Sequence, residues 1–144
     1  MCHPQFGPKA KLIQEALATF EIASWVVSNS EELLFELVRK NLYILTSNIC
    51  GLALPEGATV GDLIHNHQEL LQSISSEILE LQYSLTGKTM DNRLLIDAAM
   101  LAFEGDLEHK CMGRSATARL ERALEMAERQ GIEVPNLRKV ALTN

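Results

Sequence analysis

Aromatic residues are scarce, with one Trp, two Tyr and four Phe in 144 residues. A core built with so few must be aliphatic. Leu, Ile, Ala, Glu and Gln outweigh the β-branched and aromatic strand formers, which predicts an all-α chain. Cysteine is scarce as well. Cys2, Cys50 and Cys111 stand at no framework spacing, so a disulfide scaffold is excluded and a reducing, cytoplasmic setting is expected. The opening MCHPQFGPKAK has none of the apolar run a secretory signal needs. No stretch reaches the ~18 apolar residues of a membrane span. The richest, ELLFELVRKNLYIL, is interrupted by Glu36, Arg39, Lys40 and Asn41, so no membrane partner is expected. Also missing are a P-loop, a GxGxxG, a GxSxG elbow, and any CxxC or HxxxH pair. Those gaps remove phosphate cradles, serine nucleophiles and paired zinc ligands from consideration.

A surplus of positive charge is absent too. The formal net charge is −6, which opposes nucleic-acid binding through a broad basic surface. The balance is uneven: residues 1–109 sum to −9 and residues 110–144 to +3. Within that basic end, Arg114, Arg119 and Arg122 are the candidates for nucleic-acid contact. Their interleaving with Glu121, Glu125 and Glu128 fits a solvated helix face better.

What the chain does contain is helical periodicity over a length suited to one domain. After an irregular lead-in over residues 1–8, a first helix is expected from Lys9 to Val27, with Leu12, Ile13, Ala16, Leu17, Phe20 and Val27 inward. Ser30, followed by Glu31 and Glu32, is expected to cap a second helix over Glu31–Leu52. That helix carries a stripe of Leu34, Leu37, Val38 and Leu45, with further apolar residues (Leu33, Phe35, Leu42, Ile44) on its other faces. It reads as a central helix or part of an oligomer interface, ended by Gly51 and Pro55-Glu56-Gly57.

Thr59-x-x-Asp62 is an acidic variant of the capping box, opening a third helix over Val60–Leu85. Ile64, His67, Leu71, Ile74, Ile78, Leu81 and Leu85 alternate steps of three and four, a coiled-coil-like seam on a helix about 39 Å long. A fourth helix after Asp91 is expected to turn Leu94, Ala98, Leu101 and Ala102 inward, with Gly105-Asp106 able to interrupt it. A fifth, Ala116–Gln130, is capped by Ser115 and stopped by Gly131, with Leu120, Ala123, Leu124 and Ala127 inward. Residues 132–144 form a tail. The architecture expected is a single-domain bundle of four to five helices.

Three constellations invite chemistry. In GDLEHKCMGRSA, His109 stands four residues before Gly113. The spacing resembles that of histidine phosphotransfer domains, four-helix bundles with an acceptor histidine on a helix. Met112 stands where those domains usually carry Lys. On an unbroken fourth helix His109 would fall at the centre of the apolar stripe, whereas a phosphoacceptor must be wet. A metal site at His109 and Cys111 lacks a second ligand pair, and Cys50 and Cys111 suit small core positions. His65 and His67 would project about 200° apart on a helix and could not share an ion.

The third constellation is Glu77-x-x-Glu80, whose spacing resembles that of all-α nucleotide pyrophosphohydrolases, where carboxylates on neighbouring helices hold magnesium. Asp97 is placed for the next carboxylate, while Leu94 replaces the remaining glutamate. A Mg2+-dependent hydrolase using Glu77, Glu80 and Asp97 is therefore the enzymatic alternative.

Polar residues on apolar seams point elsewhere. His67 lies on the third helix's seam, while Asn41 and Asn48 lie about −20° and −40° from Leu34 on the second helix. Buried polar groups need partners, and on helical seams they can set register and oligomer state. The reading favoured is a helical protein–protein interaction module (regulator, adaptor or chaperone-like), homodimeric through Leu34, Asn41, Leu45, Ile64, His67, Leu71 and Ile74, without a cofactor.

Overall fold

The computed structural model describes residues 3–143. It is 67 % helical, with seven helices and one two-stranded sheet among the described residues, so the all-α expectation holds. Two compact units divide the chain, Met1–Val38 and Arg39–Asn144.

The first unit departs from the single long helix expected. Strand β1 (His3–Gln5) leads into α1 (Ala10–Ala18) and then β2 (Ser24–Val26), and the strands pair in parallel with Pro4 opposite Trp25. Parallel pairing requires a crossover, and α1 supplies it. The helix stops early because Glu21 turns left-handed (φ 57), letting Ile22 N–H reach back to the Leu17 carbonyl at 3.0 Å. Residues 24–27, with Trp and two Val, then follow strand propensity. Leu12, Ile13 and Phe20, expected inside, are exposed; Ala10 and Val27 are buried.

Helix α2 (Ser30–Leu52) starts one residue earlier than expected and takes a different cap. Asn29 Oδ1, not the Ser30 hydroxyl, accepts from the amides of Glu31 (3.0 Å) and Glu32 (2.9 Å). Its deeply buried line contains Val38, as expected, but continues through Leu42, Thr46 and Ile49, rotated from the rest of the expected stripe. Leu34 and Leu45 are half-buried and Leu37 is exposed. Gly51, expected as a breaker, is helical and buried. A Cβ there would stand 2.6 Å from Met112 N and 2.9 Å from Cys111 Cβ, so glycine is what allows residues 111–112 onto the helix.

The long third helix is two. The capping box forms at Thr59 and Asp62 and opens α3 (Val60–Asn66), His67 leaves helical geometry (φ −132, ψ 40), and α4 runs over Gln68–Thr86. One straight helix cannot aim both apolar sets at their partners: α3 packs on α5 (Asn92–Glu104), while α4 packs on α6 (Ala116–Gln130) and α7 (Pro135–Leu142). The seam survives on α4 as far as Leu81, with Leu71, Ile74, Ile78 and Leu81 all buried, whereas Leu85 is exposed.

Helix α5 begins after Asp91 as expected, and Asp91 caps it, its Oδ1 accepting from the Arg93 and Leu94 amides. Its inward face is Leu95, Ala99 and Phe103; Tyr43 packs against Phe103 with ring centroids 4.7 Å apart. The stripe expected inside is turned out, with Leu94 58 % and Leu101 71 % exposed. Bounds and inward residues of α6 match the sequence reading, Leu124 being half-buried. Ser115 makes no capping hydrogen bond there, although Gly131 is left-handed (φ 65) and stops the helix. The tail folds as α7, burying Leu137 and Val140.

Candidate functional site

Residues 105–115 form a loop, because α5 ends at Glu104. The loop is laced to the start of α3: Val60 N–H donates to the His109 carbonyl (2.8 Å), Gly61 N–H to Leu107 (2.9 Å), and Cys111 N–H to Ala58 (2.9 Å). These bonds turn the His109 side chain outward. It is 56 % exposed, with Nδ1 3.7 Å from Asp106 Oδ2, and not in the core where an unbroken helix would put it. His109 is thus wet, but it stands on a loop and not on the helix that the phosphotransfer resemblance implies.

Cys111 and Cys50 are buried free thiols. Desolvation, with a smaller contribution from Asp62, pushes Cys111 up to about 11. Burial, with Cys111 nearby, raises Cys50 further. Both stay protonated, opposite to what a nucleophile or metal ligand requires. Among the described residues no three His, Cys, Asp or Glu side chains are grouped to hold an ion.

The carboxylate trio is separated in role. Glu77 is 6 % exposed, and its two oxygens accept from Asn136 N (2.8 Å), Asn136 Nδ2 (2.6 Å) and Leu137 N (2.9 Å). It caps the free amides at the start of α7 from a neighbouring helix. Glu80 is exposed. Asp97 is exposed beside Arg93, 3.9 Å away. The spacing that suggested magnesium ligands at Glu77 serves a helix cap.

The seven residues expected at an interface also part company. Ile64, Leu71 and Ile74 are buried within the chain. His67 is half-buried at the α3–α4 break, and Leu34 is half-buried on the first turns of α2. Asn41 and Leu45 instead line a cleft between α2, α4 and α6, together with Arg119 and Arg122. Arg119 Nη1 donates to Asn48 Oδ1 (2.7 Å), which gives the buried Asn48 the partner its position demanded. Arg114, exposed on the preceding turn, is not part of that lining.

Two features escaped the sequence reading. One is the outward orientation of Leu94 and Leu101. The other is Gln82, whose buried Nε2 has no hydrogen-bond partner. Its signal was a lone amide flanking the Ile78–Leu81–Leu85 seam. No helix among the described residues is long and apolar enough to cross a membrane. No family model matches the chain, and neither does any curated protein or solved structure.

Proposed function

We propose that this chain is a helical protein–protein interaction module, a regulator, adaptor or chaperone-like protein rather than an enzyme, and that it self-associates as a homodimer through the outer face of α5. The observation that carries this reading is that α5 is apolar on two sides. Leu95, Ala99 and Phe103 fill the core, while Leu94 and Leu101, two turns apart on another face, are left in water. A helix that only packs on its own core has one apolar face. A second face held in water forgoes roughly 25 cal/mol per Å² of apolar surface, which a partner would recover. A repeated leucine spacing suits a second copy of the same helix. The interface thereby moves from the second and third predicted helices to the fourth. Two buried free thiols, Cys50 and Cys111, are consistent with a reducing compartment.

Light scattering coupled to size-exclusion chromatography tests this at micromolar concentration. The wild-type chain is expected at dimer mass. Changing Leu94 and Leu101 together to Glu is expected to give a monomer with an unchanged helical circular-dichroism spectrum. A wild-type monomer would overturn the homodimer, as would a double variant that stays dimeric.

A further inference from the structure

The cleft between α2, α4 and α6 shares no residue with the outer face of α5, and the homodimer leaves it unexplained. It encloses about 340 Å³. Ile44, Leu45, Leu85 and Met126 supply its accessible apolar walls, and Asn41, Gln82, Arg119 and Arg122 are its polar residues.

Three observations define what would fit. The first is charge: the chain has 19 acidic against 13 basic residues, yet the lining contains two arginines and no carboxylate. Arg122 is exposed, and its side chain makes no hydrogen bond or ion pair among the described residues. Arg119 is held in place by its bond to Asn48 and keeps further guanidinium donors. The second is an unmet donor: Gln82 is 6 % exposed, and its buried Nε2 has no partner. Buried amides are nearly always paired; this one is closed to the cleft as well, and a turn of the Gln82 side chain would offer it to an acceptor there. The third is size. Small-molecule sites span roughly 300–1,000 Å³, and this one lies at the low end, too small to engulf a helix about 10 Å across.

We propose that the cleft is a binding site for a small amphipathic carboxylate. Its aliphatic body packs between Ile44, Leu45, Leu85 and Met126. Arg122 and the remaining donors of Arg119 neutralise the carboxylate, and Gln82 Nε2, brought round by a turn of its side chain, gives a hydrogen bond to a carboxylate oxygen.

Isothermal titration of the full chain with octanoate is the test, with octan-1-ol and octylamine as controls of equal chain length. Octanoate is expected to bind saturably at one site, with both controls weaker by about tenfold or more, the weight of one charge-assisted hydrogen bond. Arg122→Gln, at an exposed position, is expected to weaken octanoate by about the same factor. Gln82→Leu removes the unmet donor, so it is expected to raise the thermal midpoint of the free chain while weakening octanoate, two signs that a merely structural glutamine would not combine. The Leu94→Glu, Leu101→Glu double variant is expected to bind octanoate like wild type, which separates this site from the dimer. Equal binding of octanoate and octanol, no effect of Arg122→Gln, or no saturable binding at millimolar octanoate would overturn the proposal.

Discussion

At the scale of single residues, the fold rests on contacts whose partners lie far along the chain. Glu77 holds three donors at the start of α7. Glu77→Ala would leave those donors without an acceptor in a buried setting, and a loss of about 2–3 kcal/mol is expected in urea denaturation. A magnesium ligand would instead show its loss in metal-dependent turnover with stability unchanged. Gly51 is equally constrained. Gly51→Ala sets a methyl against backbone atoms of Cys111 and Met112 that cannot swing away, and about 1–3 kcal/mol of destabilisation is expected by the same measurement.

Asp62 gives a pH dependence. Hydrogen bonds from the Thr59 amide and hydroxyl hold its carboxyl below the ordinary value of 3.8. A lowered folded-state value makes its contribution complete above 3.8 and lost as pH falls through the lower folded-state value. Asp62→Asn is therefore expected to lower stability at neutral pH and to flatten the acid limb of the stability–pH curve.

At the scale of elements, local signals and packing compete, and each wins in a different place. The capping box at Thr59, the start of α5 after Asp91 and the glycine stop of α6 act within one turn, so they were legible from the residues alone. The break at His67 was not. Its neighbours continue a three-and-four repeat without interruption, and only the need of α3 and α4 to meet different partners bends the chain there. The orientation of α5 was misread for a related reason. Leu94, Leu95, Leu101 and Phe103 are all apolar, and periodicity cannot say which of two apolar faces meets the core. Phe103→Ala is expected to cost about 3–5 kcal/mol, whereas Leu101→Glu is expected to stay within about 0.5 kcal/mol of wild type when read on monomer. The reverse result would restore the orientation that the sequence suggested.

At the scale of the whole molecule, charge and reactivity are distributed in ways no single motif announces. A net-acidic chain gathers Arg119 and Arg122 into a cleft free of carboxylates, and it encloses two thiols, Cys50 and Cys111, both raised above the ordinary cysteine value. Native-state alkylation at neutral pH is expected to spare Cys50 and Cys111 and to modify both once denaturant is added. Mass spectrometry of the peptides decides this, because rapid native-state modification would require a thiolate that burial disfavours.

By itself the sequence determined the helical class, most helix termini and the want of a complete catalytic motif, because propensity, capping and periodicity act over a few neighbouring residues. Tertiary structure alone decided that Glu77 caps a helix about sixty residues away along the chain. It also decided that His109 is wet, that Leu94 and Leu101 face outward, and that Asn41, Gln82, Arg119 and Arg122 share one cleft. Those outcomes depend on which surfaces meet in space, and a helix carrying apolar residues on several faces leaves that choice to its neighbours.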